Sequence, residues 1–461
     1  MSIATQIIGL IASLSLLVFV HELGHYTFAR IFHTRVDKFY LFFNPGFSIL
    51  RANKFDGKWH FSFFSSESPA SFGEHPEATE WGIGWLPLGG YCAINGMVDE
   101  TTSADQLSAE VHPWEFRAKP AWQRLFIIIG GVLVNFIVGI LIYIGILFHW
   151  GKEYIPVENA KYGFHFSEAA LNAGFQNGDM VLLVNGQKPE TMSDITMAML
   201  LDNDVTVRVL RDSQEVDVVV PADFGKQVLA EGSGSFCIFD FPFVIDSIMP
   251  NHYADKAGLM KHDSLVAVND STMMSYFDFK SVFEQYKGKD LMLSYYRNDS
   301  LEKRVVHISE DGLIGVAPVS YYGFLKTKTV HYGFFQSIPA GAKYGFSVLG
   351  NYVKQFKLVF TKEGAKQMGG FGTIGGLFPK SWDWEAFWSI TALLSLILAF
   401  MNFLPIPMLD GGYILFILIE MITRRKPSDK FVGYANYVGL AIVLALLIYA
   451  NGMDVYRAFF K

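Results

Sequence analysis

Apolar residues along this chain come in blocks rather than evenly. Residues 3–20 read IATQIIGLIASLSLLVFV and carry no charge. Residues 125–149 (LFIIIGGVLVNFIVGILIYIGILFH), 387–404 (FWSITALLSLILAFMNFL) and 432–450 (VGYANYVGLAIVLALLIYA) are alike in character. Each is long enough to cross about 30 Å of hydrocarbon as a helix, so four spans are expected. The stretch 411–422 is apolar but too short for a separate span. The first block lacks the basic flank and cleavage pattern of a signal peptide, and is read as a retained span.

Residues 151–386 between the second and third spans have ordinary soluble character. VTVRVLR (205–211) and EVDVVVP (215–221) alternate as strands do. This region also repeats. Ala173-Gly174 recurs as Ala257-Gly258, Asp179 as Asp263, and Val184-Asn185 as Val268-Asn269, at a constant offset of 84. A constant offset implies a duplicated module. Each copy predicts a short helix, a glycine turn, an apolar strand and an Asn turn. The segments 167–186 and 254–270 resemble PDZ domains of bacterial membrane-associated proteases, a module that captures extended peptide by strand addition. Residues 344–360 predict an amphipathic helix, either on the outer surface or against the soluble modules. The glycines of 368–376 predict either close backbone approach or a hinge.

Composition sharpens this picture. Only 18% of residues are charged, which follows from the uncharged spans. The net charge of −7 leaves no general basic face, so no nucleic-acid partner is expected. Basic residues are concentrated at 30–58, at 117–124 and at 424–430. By the positive-inside rule, the 31–120 and 423–431 loops are cytoplasmic, and the repeated modules and both termini lie outside. Arg457 and Lys461 count against this orientation but are outnumbered. Cys92 and Cys237 then fall on opposite sides of the membrane, and structural burial is expected of both. The 42 Phe are spread through all regions and suggest no function.

Candidate chemistry begins at the end of the first span, with His21-Glu22-Leu23-Gly24-His25. Residues four apart share a helix face, so both imidazoles can meet one metal ion. In HExxH sites the Glu is not a ligand; it serves as general base. Ionisable groups at membrane depth are costly unless they pair or bind something. Two His leave zinc short of a third protein ligand. After the third span comes Asn402-Phe403-Leu404-Pro405-Ile406-Pro407-Met408-Leu409-Asp410-Gly411-Gly412, where the prolines break the helix. Asp410 could cap the helix that follows or complete the metal set. The topology brings Asp410 and the His pair to the same side of the membrane, which favours the metal.

His21-Glu22-x-x-His25 together with Asn402-x-x-Pro405-x-Pro407-x-Leu409-Asp410-Gly411 resembles the site-2 protease family of intramembrane zinc metalloproteases. Tandem PDZ-like modules make it similar to that family's bacterial sigma-E-regulating branch. LPLGGY (86–91) and FRAKPAWQRLFIIIGGVLVNF (116–136) are similar to family segments as well. The resemblance implies an α-helical polytopic membrane protein with four transmembrane helices, a membrane-associated β-hairpin loop and two extracytoplasmic β-rich PDZ-like domains. The first helix with HExxH takes 1–34 and the cytoplasmic-side loop 35–120. The second helix takes 121–150, the modules 151–236 and 237–322, and a connecting region 323–383. The third helix and its Asp motif take 384–422, and the fourth helix 431–452.

The resemblance further implies that His21, His25 and Asp410 bind Zn2+, that Glu22 is the general acid/base, and that Asn402 contacts substrate or oxyanion. The implied partners are the lipid bilayer, a pre-trimmed single-span membrane protein such as an anti-sigma factor or remnant signal peptide, and a peptide tail at the PDZ-like modules. The location implied is the bacterial inner membrane. The unwound substrate would add as a strand to the 35–92 loop, whose residues 39–49 carry strand formers around Asn44-Pro45-Gly46. Gly130-Gly131, Tyr413 and the long 59–80 segment depart from the family pattern, and none is expected to touch the metal set. The competing expectation is a non-proteolytic PDZ adaptor with a structural metal. A channel or transporter is poorer, since no inverted repeat is visible.

Overall fold

The computed structural model describes residues 2–87, 89–97, 110–202, 204–231 and 235–460. It divides into two compact units, Met1–Gly151 with His331–Lys357 and Lys366–Lys461, and Lys152–Val330 with Leu358–Ala365. Among the described residues four helices are long and apolar enough to cross a membrane, all in the first unit.

The first unit is built on α1 (Ser2–Ile31) and α2 (Ala121–His149). No proline interrupts α1, so the apolar run and His21-Glu22-x-x-His25 form one continuous helix. The two helices meet where neither has a side chain. A Cβ on Gly24 would overlap the Gly130 carbonyl, and one on Gly130 would lie 2.7 Å from the Gly24 oxygen. Small residues let membrane helices touch through their backbones in this way. Helix α3 (Phe334–Phe356) lies along α2, with Gly341 against Ile144 and Gly345 against Ile140. The amphipathic helix expected at 344–360 is therefore longer than predicted and packs on the second span. Short α4 (Phe371–Leu377) leads to α5 (Trp384–Phe403), α6 (Asp410–Thr423) and α7 (Asp429–Phe460). The glycine segment before α4 makes a close backbone approach to α7. Asp454 accepts from the Gly370 and Thr373 amides, and Arg457 donates to Asp454 and to the Met368 carbonyl.

Between α1 and α2 the chain forms one five-stranded sheet rather than a hairpin loop. Its strands are β1 (Val36–Leu41), β2 (Ser48–Phe55), β3 (Lys58–Ser65), β4 (Glu80–Ile83) and β5 (Tyr91–Ile94), in the order β3-β2-β4-β1-β5. The hairpin turn is at Asp56-Gly57, both with positive φ, and not at Asn44-Pro45-Gly46. The reason for inserting β4 is polar. Arg51 on β2 is 4% exposed and needs a buried partner. Glu80 on β4 supplies it at 2.8 Å and also accepts from Ser68 and Tyr40. Burial alone would raise the Glu80 carboxyl; these three donors outweigh it and hold it below the usual range. Residues 98–109 of the expected loop lie outside the described residues.

The second unit contains the repeated module twice. Strands Met180–Val184 and Ser264–Val268 correspond, as do helices Met192–Leu201 and Tyr276–Gln285. Both helices open with a capping box, Thr191–Asp194 and Ser275–Asp278. The repeated aspartates also find their physical reason. Asp179 is 1% exposed, pairs with Arg211 through both oxygens, and that arginine donates to the Gly174 carbonyl. Asp263, Arg297 and Gly258 repeat every contact. Asn185 accepts from the Thr206 amide as Asn269 does from Met292. Strand Cys237–Phe239 pairs with Phe164–Phe166 of the first copy. Just beyond it the copies meet through rings, with Phe241 stacked on Tyr276 and His165 on Phe277. Part of the phenylalanine content is this aromatic joint.

Asp240 sits in that joint, and burial pushes its carboxyl up to about 6 despite the Phe241 amide it accepts from. A carboxyl raised by folding binds its proton more tightly in the folded state, so stability falls as pH rises from about 4 to about 6. Asp240→Asn should therefore raise the unfolding temperature of this unit by a few degrees at pH 7.5 and leave it unchanged at pH 4. Thermal scans at both pH values test this; a variant less stable at pH 7.5 would refute it.

Candidate metal centre

His21 and His25 project from one face of α1 with ring centroids 4.8 Å apart. Both are buried. His25 Nδ1–H donates to the Ile127 carbonyl on α2 at 2.9 Å, which turns its Nε2 inward. His21 Nε2 lies 3.2 Å from His25 Nε2. On its other side His21 Nδ1 lies 3.3 Å from Asn135 Nδ2, also on α2.

The third group comes from the turn between α5 and α6. Pro405 and Pro407 end α5, and Met408 takes a φ of 81°, with its amide donating to Asn436 of α7 at 3.3 Å. The turn lies directly on the start of α6, because a Cβ on Gly411 would overlap the Leu404 carbonyl. Asp410 does not cap α6: Leu409 holds the cap position, and no side chain bonds there. Instead Asp410 Oδ2 points at the imidazoles, 3.2 Å from His21 Nε2 and 3.4 Å from His25 Nε2. That oxygen is buried and makes no hydrogen bond of good geometry.

Three donor atoms, two nitrogens and one oxygen, thus lie within 4.8 Å of one another. Among the described residues this is the one such group of His, Cys, Asp and Glu. The donor set suits zinc, which takes imidazole and carboxylate ligands and keeps a fourth position open in catalytic sites. An orphaned carboxylate oxygen facing two inward nitrogens fits a cation held between them. A cavity of about 140 Å³ opens beside the group, lined by Glu22, Asn402, Cys92 and Tyr413 among others. That is room for several waters. Glu22 lies next to the donors without being one of them, and Asn402 Nδ2 is 3.4 Å from His21 Nε2.

Two expectations are corrected here. Gly131 was expected not to touch the metal set, yet a Cβ there would overlap His25 Nε2 and lie 2.7 Å from His21 Cε1. Cys92 is only partly buried and lines the cavity, whereas Cys237 is buried as expected; Tyr413 also lines the cavity without being one of the donors. No residue of the long 59–80 segment is among those that line the cavity. Sequence reasoning missed Asn135 altogether. Its signal was available, since it is the single Asn within the uncharged block 125–149.

A family model described as peptidase family M50 matches residues 9–66 and 68–446. A Rickettsia conorii protein bearing a zinc-metalloprotease name is 23% identical over 98% of this chain and 99% of its own length. A Treponema pallidum protein with a name of the same kind is 26% identical, covering 97% and 98%. Metalloprotease MmpA of Caulobacter vibrioides is 22% identical, covering 98% and 96%.

Filling the space at Gly131 should push the imidazoles apart. Gly131→Ala is expected to weaken zinc binding by about 10–100-fold, the range for disturbing a metal's outer contacts. Gly145→Ala, on the same helix with nothing within 4 Å, should leave it unchanged. Chelator competition on both purified variants tests the pair; equal affinities would refute the steric argument.

Proposed function

The chain belongs to peptidase family M50, the site-2 protease family of zinc-dependent membrane metalloproteases, and from that premise we propose that it cuts a peptide bond within the transmembrane segment of a pre-trimmed single-span protein. An anti-sigma factor or a remnant signal peptide is the substrate class that the family resemblance favours. The observation carrying this reading is the convergence of His21, His25 and Asp410 beside a cavity that Glu22 also lines.

In this reading His21, His25 and Asp410 hold the zinc. When bound, zinc polarises the scissile carbonyl and acidifies water. Glu22 takes the proton from the attacking water and passes it to the leaving amine. Asn402 turns its amide toward the substrate carbonyl or the oxyanion that forms from it. The substrate helix has to unwind first, because its carbonyls are otherwise occupied. Strand β5 supports a place for it: β5 is an edge of the sheet, and Tyr91 and Cys92 on it line the cavity. An extended segment laid along β5 would gain backbone hydrogen bonds next to the donors.

The adaptor reading is weaker. A structural zinc closes its site with a fourth side chain, and among the described residues three donors face the point. We assign the repeated modules as PDZ-like and extracytoplasmic, restricting or capturing substrate tails, with the site near the cytoplasmic side of the bacterial inner membrane. The clustered basic residues support this orientation. Arg457, which counts against it, is paired with Asp454 at 2.7 Å, and it stays outnumbered by the basic residues of the two loops.

Glu22→Gln should lower cleavage of a reconstituted single-span substrate by about 10²–10⁴-fold, the usual worth of a general base, with zinc retained. Wild-type turnover with zinc bound would remove Glu22 from the mechanism. Asp410→Ala should lose zinc as well as activity, measured by metal analysis after dialysis; undiminished zinc would strike Asp410 from the ligand set.

A further inference from the structure

One stripe of α2 meets both imidazoles. Ile127, Gly131 and Asn135 are four residues apart and so share a face. Because α1 and α2 run antiparallel, Ile127 meets His25 and Asn135 meets His21, with Gly131 between them. We infer that Asn135 is a positioning residue for His21, doing with a side chain what the Ile127 carbonyl does for His25. The inference rests on the reading of His21 as a zinc ligand.

A neutral imidazole carries one N–H. His21 Nε2 faces Asp410, so a ring ready for metal must hold its proton on Nδ1, and the atom beside Nδ1 must accept it. That atom belongs to Asn135. Its amide lies 3.3 Å away through Nδ2, while its Oδ1 is buried without a hydrogen-bond partner. Turning the amide through half a rotation brings the oxygen onto Nδ1–H. With Nδ2 on Nδ1, the ring proton moves to Nε2 and points at Asp410, where it obstructs a cation. With Oδ1 on Nδ1, Nε2 is bare. The one amide therefore serves both tautomers and adds no charge.

Burial argues that this contact is selected by chemistry and not by packing. Asn135 is fully buried in an apolar span, where an amide is costly unless it hydrogen-bonds. Its backbone is also tied to α5, whose Ser395 hydroxyl donates to the Asn135 carbonyl at 2.7 Å. Three helices thus meet at Asn135, α1 at its side chain and α5 at its backbone. Outer contacts of this kind orient metal-binding imidazoles and raise their basicity.

The test compares zinc affinities of full-length protein in detergent, by competition with a chromophoric chelator. Asn135→Leu can neither accept nor donate and should bind zinc about 10–100-fold more weakly. Asn135→Asp keeps shape and acceptor and should bind at least as tightly as the parent. Cobalt-loaded samples should show a changed visible spectrum for the Leu variant and a parental one for the Asp variant. Parental affinity in Asn135→Leu overturns the inference. Should that variant not fold, the Asp variant decides, and a tenfold loss there overturns it. His21→Ala separates the two levels. If it keeps parental zinc affinity, the ligand reading itself fails; if it loses zinc while Asn135→Leu does not, only the role of Asn135 fails.

Discussion

Backbone contact between α1 and α2 is the constraint on which the first unit depends. Gly24 and Gly130 bring the two helices together without an intervening side chain. At that separation the Ile127 carbonyl reaches His25, and Asn135 reaches His21. A wider spacing would strand two imidazoles in an apolar environment, where unsatisfied polar groups are expensive. Helix packing and ligand orientation are therefore one problem solved at one place. The turn that delivers Asp410 obeys the same rule, with Gly411 allowing the Leu404 carbonyl to lie on the first turn of α6.

Much of this was legible in the sequence because its physics is local. Uncharged blocks declare spans, and i, i+4 spacing declares a shared face. The constant offset declared a duplication before any strand was seen. Asp410 was harder, since an Asp before two glycines reads equally as a helix cap, and only topology argued otherwise. What escaped is what depends on distant pairing. Nothing near Asn44-Pro45-Gly46 announces that β4 will come between β1 and β2, because that order is set by Arg51 seeking Glu80. Gly131 escaped for a related reason: an absent side chain carries no chemical signature, and its role is the space it leaves for another helix's histidines.

The two units hold their charges in different ways. In the sheet, Glu80 gathers Arg51, Ser68 and Tyr40 into one buried cluster. Such a cluster is costly if half satisfied and rigid if complete. In the repeated modules the two equivalent aspartates, Asp179 and Asp263, each have a two-pronged arginine, which binds strand to turn in a fixed geometry. Rigidity beside the cavity suits an edge strand that has to receive a substrate in register. Rigidity in the modules preserves their shape, while the joint between them combines stacked rings with the Tyr276 amide donating to the Phe241 carbonyl at 2.8 Å.

The clamps of the modules also record how the duplication aged. From the strand through the helix the two copies keep a spacing of 84, as with Asp179 and Asp263 or Thr191 and Ser275. Beyond the helix the equivalent positions, Arg211 and Arg297 or Thr206 and Met292, are 86 apart. Two residues have therefore been gained or lost in the turn between helix and strand, and nowhere else along this stretch. A two-residue insertion inside the strand would have kept the arginine on its face but carried it about 7 Å along the sheet, leaving a buried aspartate alone. The turn was the one place where length could drift without being purged.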